Sequence, residues 1–382
     1  MTVPNLAVVH VTDDMAPLSG GVPAVVRQLT ARLSASGALV QVVHATGDAQ
    51  DVSAPAQASL CQPNAVGKAW YYGPALRPTL AAAMARHAQR QRVVHIHGVW
   101  ASPQYFAARI AYSRRLPFVF TAHGMLEPWL WDQQGWRVRA KKAAYWKLLA
   151  APALRNATVV HAITPLERDH LHRLLPCRRI EVIPNAIEIS PVPEVALPRE
   201  RKVLFLGRIE PKKGVDILIR AFAAANLASD WTLQIAGPSW SPAYMRSLVR
   251  LVREAGVGSR VQFSGPAFGA QKRQLLESSW VMAVPSHSEV VGLVNLEAGE
   301  RQLPTITTHQ TGLSDWQQGG GLLVQPELAS VAAALRQSCG WSDAERDERG
   351  WSSRELIERR YSWHVVTEKW QRLYIEIAQG NN

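Results

Sequence analysis

The stretch KVLFLGRIEPKKGVDILIRAF, residues 202–222, gives the clearest indication of the fold class. It begins with a short apolar run of β type, continues through a polar turn, and after Gly214 takes the apolar spacing of an amphipathic helix. A strand, a tight turn and a helix in this order are typical of a parallel sheet with crossover helices. The sequence therefore predicts an α/β fold.

The same alternation recurs along the chain in two sets of strand candidates. The first set is 6–11, 39–45, 93–98, 118–124, 158–164 and 180–185, and the second is 202–207, 231–237, 260–265, 279–286, 304–308 and 321–326. Residues 186–200 contain three prolines and no helical period, so we interpret them as a linker. We expect two doubly wound domains, 1–190 and 201–362, with ligands at the carboxyl ends of the strands.

Size and composition are those of a soluble globular protein: 382 residues, 47% hydrophobic and 19% charged. No apolar run reaches the roughly 18 residues of a membrane span. The N-terminus MTVPNLAVVHVTDDM lacks a basic region and reads as a first strand rather than a signal peptide. Cys61, Cys177 and Cys339 fit neither metal nor disulfide spacing, so we expect a cytoplasmic protein.

Positive charge is concentrated in the first half of the chain. Residues 1–190 hold 20 Lys and Arg against 10 Asp and Glu, whereas residues 191–382 hold 22 against 20. Such an excess attracts nucleic acid, an anionic membrane surface or a phosphate-bearing acceptor; a basic surface that serves solubility is the simpler alternative. We recognise no nucleic-acid-reading module, so no nucleic-acid partner is expected.

Two cations follow the strand at 202–207. Arg208 and Lys213 lie in a turn that opens a helix at Gly214, and a guanidinium and an ammonium beside a helix N-terminus suit a diphosphate. An ordinary loop with solvated charges remains the alternative.

The segment SEVVGLVNLE, residues 288–297, follows another buried strand candidate. If a helix starts near Gly292, the free amides of Gly292, Leu293 and Val294 favour an anion. Glu297, about one turn further on, suits ribose hydroxyls, and Glu289 would face the other side of the diphosphate, where a sugar would lie. A helix with one N-terminal acid and one exposed acid is the alternative.

Several motifs together resemble a known enzyme family. They are GRIEPKKG (207–214), the two glutamates within PSHSEVVGLVNLEAGERQLPTITT (285–308), IPNAIE (183–188) and the Gly pair at 20–21. Together, and in their order along the chain, these motifs resemble the retaining glycosyltransferases of family four. The resemblance extends over almost the whole chain. That resemblance implies the GT-B fold: two Rossmann-like, doubly wound domains that face a central cleft, with the terminal segment 363–382 packing back on the first domain. HGMLEPWLW (123–131) resembles members that build bacterial lipopolysaccharide or capsule.

The resemblance also implies roles for residues of the second domain, the donor-binding one. Arg208 and Lys213 would bind the donor diphosphate, Glu297 the ribose and Glu289 the hydroxyls of the donor sugar. Backbone amides from Gly292 to Val294 would contact the donor as well.

In the first, acceptor-binding domain the resemblance implies further roles. The turn at Gly20 and Gly21 would let backbone approach the phosphates and the acceptor, and His123 would lie beside the donor sugar near the reacting carbon. His97 would line the same cleft or, alternatively, be a buried strand histidine.

The sequence departs from the family pattern at two places. Val290 and Val291 stand where the family commonly has glycine and then an aromatic residue, which puts the sugar specificity in doubt. Ala186 replaces the usual glycine of the interdomain motif, a milder change.

The implied reaction is a retaining transfer without metal or other cofactor, and the chain has no Asp-x-Asp pair. The resemblance implies front-face attack, in which the leaving phosphate takes the acceptor proton; Glu289 as nucleophile is the alternative. The expected donor is GDP-mannose, GDP-rhamnose or a UDP-hexose, and the expected acceptor is a lipid-linked saccharide in lipopolysaccharide, O-antigen or exopolysaccharide synthesis. Rival readings are a non-catalytic nucleotide-sugar-binding protein and a GT-B nucleotide-sugar epimerase.

Residues 129–147 combine aromatic and basic side chains at helical spacing. The aromatic residues are Trp129, Trp131, Trp136, Tyr145 and Trp146, and the basic ones are Arg137, Arg139, Lys141, Lys142 and Lys147. This pattern suits an interfacial helix on anionic lipid and predicts a peripheral protein on the inner face of the bacterial inner membrane. A solvated helix whose aromatics anchor it to the domain core is the alternative.

Overall fold

The computed structural model describes residues 2–15, 21–46, 59–61, 73–128, 135–176, 178–192 and 198–380. The chain forms two compact units, one of Met1–Asn185 with His364–Asn382 and one of Ala186–Trp363. The first part of the predicted linker belongs to the second unit: Ile187 forms a bridge with Ser362, and the amide of Ser190 donates to Oε1 of Glu300 at 2.9 Å.

A seven-stranded parallel sheet forms the centre of the first unit. Its strands are β1 (Leu6–Asp14), β2 (Leu39–Thr46), β3 (Ser59–Cys61), β4 (Gln91–His97), β5 (Phe118–Thr121), β6 (Val159–Ala162) and β7 (Ile180–Val182). The spatial order is β3-β2-β1-β4-β5-β6-β7. The reversal of order beside β1 is the switch point at which doubly wound folds bind ligands.

Helices connect these strands, and the last helix of the chain packs on the same unit. They are α1 (Gly21–Ala35), α2 (Gly73–Ala85), α3 (Ser102–Ser113), α4 (Trp136–Tyr145), α5 (Ala151–Leu154), α6 (Pro165–Leu174) and the terminal helix at Trp363–Ala378. Helix α4 continues into α5 through a π-helical turn (Trp146–Ala150). Valines and isoleucines of β1 and β4 are fully buried and form the core with α3 and the π-helical turn. Burial of each such side chain contributes about 1.5–3 kcal/mol.

The second unit has a six-stranded parallel sheet in the order β10-β9-β8-β11-β12-β13. Its strands are β8 (Glu200–Leu206), β9 (Thr232–Ala236), β10 (Val261–Gly265), β11 (Ser279–Val284), β12 (Thr305–Thr308) and β13 (Leu322–Val324). Its helices are α7 (Val215–Ala224), α8 (Pro242–Glu254), α9 (Gly269–Ser278), α10 (Leu293–Glu300), α11 (Leu328–Cys339) and α12 (Asp343–Arg360), and the chain closes with α13 (Trp363–Ala378).

The predicted α/β class with two doubly wound parallel sheets is confirmed. Several strands end earlier than their apolar runs suggest, and for two of them the local backbone gives the reason. Strand β5 stops at Thr121 because His123 and Gly124 have φ of 52° and 73°, which no strand residue adopts. Strand β11 stops at Val284 because the next residue is Pro285, which has no amide to donate. Within the described residues, no helix combines the length and the apolar character needed to span a membrane.

Candidate functional site

The turn after β8 carries the two predicted cations. Arg208 extends its side chain with 67% exposure and lies 3.2 Å from Oε1 of Glu210. Lys213 ends a 3-10 turn and is buried to 9% exposure. Gly214, with φ of 66°, then opens α7; a Cβ there would lie 2.2 Å from the carbonyl oxygen of Pro285. Only glycine allows this turn to pack against the end of β11.

Lys213 and Glu289 form an ion pair that joins the ends of β8 and β11. The side chains of Lys213 and Glu289 are only 11% and 18% exposed. Burial raises the pKa of Glu289, but Lys213, Lys212 and Arg208 outweigh it, so that the pKa lies below its usual range. Glu289 is therefore ionised at neutral pH, and three cations surround one carboxylate at this edge of the sheet.

Helix α10 begins next to this cluster, as the sequence predicts. Gly292 is its N-cap residue with φ of 63°, and a Cβ at Gly292 would lie 2.9 Å from Nδ2 of Asn295 and 3.1 Å from Cγ of Glu289. The half-buried Leu293 and Val294 form the first turn, where amides have no carbonyl partner within the helix. An anion near Glu289 would thus meet both a helix N-terminus and the cations of the β8 turn.

Glu297 lies on α10 and is paired with a residue that the sequence analysis did not select. Oε2 of Glu297 lies 2.6 Å from Nζ of Lys272 on α9, and both side chains are about one third exposed. The carboxylate keeps a free oxygen for ligand hydroxyls, while Lys272 adds another positive charge at the same edge.

His123 lies in the first unit, directly after β5. Its left-handed backbone costs on the order of 1–2 kcal/mol and is held by the following residue. The amide of Gly124 donates to Oε1 of Glu167 at 2.7 Å, and the amide of Ile163 donates to Oε2 at 2.7 Å. Burial raises the pKa of Glu167 to about 7, although both backbone hydrogen bonds act in the opposite direction. Glu167 therefore braces the turn that carries His123.

Behind His123 lies a cluster of imidazoles. Nε2 of His123 is 2.9 Å from Nδ1 of His97, and Nε2 of His97 is 3.0 Å from Nδ1 of His10. Burial lowers the pKa of His10 and His123 to about 3, and that of His97 well below its usual range. His97 is 1% exposed, so the alternative of a buried strand histidine describes its position. These imidazoles are neutral at neutral pH.

Some predicted residues fall outside the described residues. Gly20, Trp129 and Trp131 are among them, whereas Gly21 begins α1. Of the remaining aromatics, Tyr145 and Trp146 are buried at 7% exposure and anchor the helix to the core, while Trp136 is 74% exposed.

Sequence reasoning selected His97 but overlooked Lys272, Glu167 and the other buried histidines, His10, His95 and His161. A signal for the histidines was present, because a histidine interrupts each of the apolar strands LAVVHV, VVHIHG and TVVHAIT. A polar residue recurring at the buried positions of neighbouring strands indicates a shared network. Lys272 gave no such signal, since a lysine on an amphipathic helix is ordinary.

Comparison with known proteins identifies relatives for both halves. The sequence profile of Glycosyltransferase Family 4 matches residues 19–190, and that of Glycosyl transferases group 1 matches residues 189–338. D-inositol 3-phosphate glycosyltransferase of Nocardia farcinica is 35% identical over 180 residues, which is 45% of this chain and 39% of that protein. The same enzyme of Rhodococcus opacus is 38% identical over 149 residues, 37% of this chain and 33% of that protein. The matches thus span less than half the length of these relatives.

Solved structures share the fold over nearly the entire chain. Sucrose-phosphate synthase of Thermosynechococcus elongatus has a TM-score of 0.76 at 21% identity and covers 98% of this chain and 99% of its own. HepE of Anabaena, in complex with UDP-glucose, has a TM-score of 0.71 at 17% identity, with 96% and 98% covered. WaaG, a glycosyltransferase involved in lipopolysaccharide biosynthesis, has a TM-score of 0.66 at 17% identity, with 96% and 99% covered.

Proposed function

Because the chain belongs to the family-four glycosyltransferases and has their GT-B fold, we propose that it transfers a hexose or deoxyhexose from a nucleotide-sugar donor with retention of anomeric configuration. The observation that carries the proposal is the cluster of Arg208, Lys213 and Glu289 beside the N-terminus of α10. Cations and free helix amides at one sheet edge provide what a departing nucleoside diphosphate needs.

In the proposed reaction the bond between the anomeric carbon and the β-phosphate oxygen breaks while the acceptor oxygen bonds to the same carbon. The leaving phosphate oxygen takes the acceptor proton. Arg208, Lys213 and the first amides of α10 stabilise the negative charge that develops on the diphosphate, and loss of one such group costs on the order of 2.7–4 kcal/mol in the barrier. Glu297 binds the ribose, Glu289 binds hydroxyls of the transferred sugar, and His123 keeps the role of orienting that sugar.

The ion pair of Lys213 and Glu289 gives this site a second property. A bound diphosphate would compete with Glu289 for Lys213, and Glu289 would then be free to accept hydrogen bonds from sugar hydroxyls. Donor binding would thus exchange one partner of Lys213 for another without leaving either charge unpaired. This exchange supports a nucleotide sugar over a bare nucleotide as the natural ligand.

For the donor base we propose uridine first and guanosine second. UDP-glucose is the ligand named for HepE, which shares the fold. The guanosine proposal rests on the resemblance of HGMLEPWLW to lipopolysaccharide enzymes. For the acceptor we propose a saccharide or polyol that carries a phosphate, lipid-linked or free. The basic first half of the chain supports this class, and so does inositol 3-phosphate in the names of the two relatives described above.

Calorimetric titration of UDP, GDP, ADP and dTDP into the protein without divalent metal tests the donor site. Arg208→Ala is the diagnostic variant because this side chain is 67% exposed, so its truncation leaves the core of the unit intact. We expect one nucleotide to bind and Arg208→Ala to weaken it by about 1.5–3 kcal/mol, or roughly 10- to 150-fold in Kd. Arg250→Ala is the matched control, since Arg250 is 71% exposed on α8. Equal binding by wild type and Arg208→Ala would contradict the assignment of the diphosphate.

We also propose that the helical segment 136–150 contacts an anionic membrane surface. Its exposed apolar side chains, Trp136, Val138, Leu148 and Leu149, stand among five basic residues between 137 and 147. Flotation with vesicles of anionic or zwitterionic lipid tests the proposal. We expect binding to the anionic vesicles, reduced in Leu148→Gln; equal binding to both lipids would contradict it.

A further inference from the structure

One face of the first unit's sheet carries a polar stripe that crosses four central strands. In the register of the sheet, His10 of β1 pairs with His95 of β4, His97 with Thr121 of β5, and Thr121 with His161 of β6. Helix α13 covers this face: the ring of Trp370 lies 4.5 Å from that of His161 and 4.9 Å from that of His95. Buried polar groups in such a stripe must satisfy one another.

The first of two hydrogen-bond chains has a fixed direction. Nε2 of His161 lies 2.7 Å from the carbonyl oxygen of Ile183, which can only accept, so His161 donates there and its Nδ1 is an acceptor. Nδ1 of His161 therefore receives the hydroxyl proton of Thr121 at 2.9 Å. Thr121 in turn accepts from Nε2 of His95 at 2.7 Å, and Nδ1 of His95 accepts from the hydroxyl of Tyr374 at 2.6 Å. Every member of this chain is satisfied.

The second chain runs from His10 through His97 to His123 and, within the part of the protein that the structure describes, ends on no carbonyl. Each neutral ring has one proton, so the chain can point in either of two directions. If it pointed towards His10, Nε2 of His10 would carry a buried proton, and this nitrogen has no hydrogen-bond partner among the described residues. In the opposite direction the same nitrogen is an unpaired acceptor. Orphaned buried N–H groups are rarer than orphaned acceptors, so the chain points towards His123.

We propose that His10 and His97 are positioning residues that fix His123 as the tautomer with its proton on Nδ1. His10 donates from Nδ1 to His97, and His97 donates from Nδ1 to Nε2 of His123. Nδ1–H of His123 is then left to donate to an oxygen of a bound ligand. This inference rests on the proposed function for the identity of that oxygen, which belongs to the transferred sugar. Through this nitrogen His123 donates a hydrogen bond and cannot accept the acceptor's proton.

A metal ion is the competing use of these side chains. His10, His95 and His97 each offer a nitrogen, and the three nitrogens lie within 4.8 Å of one another. The rings of His95 and His97, however, face each other at an interplanar angle of 36°, with their centroids 3.9 Å apart. Ligands of one metal ion instead point radially at a common centre. Both nitrogens of His95 are also engaged with Tyr374 and Thr121. The geometry therefore points to a hydrogen-bond chain rather than a metal site.

Nitrogen-detected NMR of protein labelled with ¹⁵N-histidine reads the tautomer of each ring directly. The signals of His123 are identified by their loss in His123→Gln. We expect Nδ1–H at His123 in wild type and in His97→Asn, whose amide keeps an N–H donor near the position of Nδ1. We expect His97→Leu, which has no donor, to shift His123 towards the Nε2–H tautomer. Tyr374→Phe is the control, because it interrupts only the first chain and leaves the tautomer of His123 unchanged.

Two NMR results and one metal analysis would overturn the proposal. They are Nε2–H at His123 in the wild type, an unchanged Nδ1–H tautomer in His97→Leu, and one equivalent of zinc in the purified protein. The turnover assay supplies a separate readout. We expect kcat to fall roughly 10- to 100-fold in His97→Leu, with partial rescue in His97→Asn and with the donor KM within about twofold of wild type. Absence of sugar transfer by the wild type would contradict the proposed function. The NMR measurement of the His123 tautomer does not depend on turnover, so it would still test the positioning role of His10 and His97.

Discussion

Acidification should destabilise the first unit selectively, because its core holds histidines that are neutral when folded. His10, His95, His97 and His161 are at most 2% exposed, and burial lowers their pKa values, to about 3 for His10 and about 4 for His161. In the unfolded chain a histidine titrates near its ordinary value of about 6.5. Below that pH the unfolded state binds protons that the folded state does not, so the free energy of unfolding falls as pH falls.

The magnitude follows from these pKa values. Between pH 7.5 and 5.5 these four histidines and His123, whose pKa burial lowers to about 3, each remove about 1.4 kcal/mol from the free energy of unfolding, or about 7 kcal/mol together. Glu167 acts in the opposite direction: its pKa is raised to about 7, so the folded state gains a proton first and the same pH drop stabilises the unit by about 2 kcal/mol. The expected net loss is about 5 kcal/mol, a large part of the stability of an ordinary domain.

Native-state hydrogen exchange at pH 7.5 and 5.5, corrected for intrinsic exchange rates, measures this loss strand by strand. We expect the opening free energies of β1, β4 and β6 to fall by about 5 kcal/mol. The strands β8, β9 and β11 are the internal control, since the second unit's His287 and His309 are half-buried and exposed. In His10→Gln the drop should shrink by about 1.4 kcal/mol. Equal losses in both units, or a first unit whose opening free energies do not change with pH, would contradict the assignment of neutral buried histidines to its core.

Three further predictions concern single side chains. Glu297→Ala should weaken nucleotide binding more than Glu289→Ala, which should chiefly lower kcat because Lys213 remains for the diphosphate; equal calorimetric binding by wild type and Glu297→Ala would remove the ribose assignment. Gly214→Ala should lower the free energy of unfolding in urea by about 1–3 kcal/mol more than Gly256→Ala. Both glycines have a left-handed φ, but of the two only Gly214 has a carbonyl oxygen 2.2 Å from the added Cβ, so equal losses would contradict this close contact. Glu167→Gln should lower the unfolding free energy by about 1–3 kcal/mol, since an amide cannot accept from both backbone N–H groups. The control Glu181→Gln, in a half-exposed ion pair, should leave the unfolding free energy near that of wild type, and equal losses in the two variants would contradict the supporting role of Glu167.

Local pattern predicted the two sheets and the start of α10 well. Apolar runs such as residues 202–207 and 279–286 are separated by turns with glycine or proline, and this punctuation is local in sequence. The helix start at Gly292 was predictable for the same reason. The β strand at Ser59–Cys61 was not, because three residues give no period to detect.

The partners of the site residues depend on tertiary contacts and could not be read from the sequence. Glu289 lies 76 residues from Lys213, and nothing in either segment indicates that they pair. Glu167 supports the turn after His123 from 43 residues away from Gly124. His10 and His97 are 87 residues apart and meet only because β1 and β4 are neighbours in the sheet.

The proposed activity is transfer of a sugar from a nucleotide donor with retention of anomeric configuration. Proton NMR of the reaction with the nucleotide sugar whose base binds in calorimetry, and with a phosphate-bearing acceptor such as inositol 3-phosphate, tests it most directly. We expect the anomeric configuration of the donor to appear unchanged in the first product, at a rate that falls in Arg208→Ala and not in Arg250→Ala. A first product of inverted configuration, or release of nucleotide that is insensitive to Arg208, would contradict it.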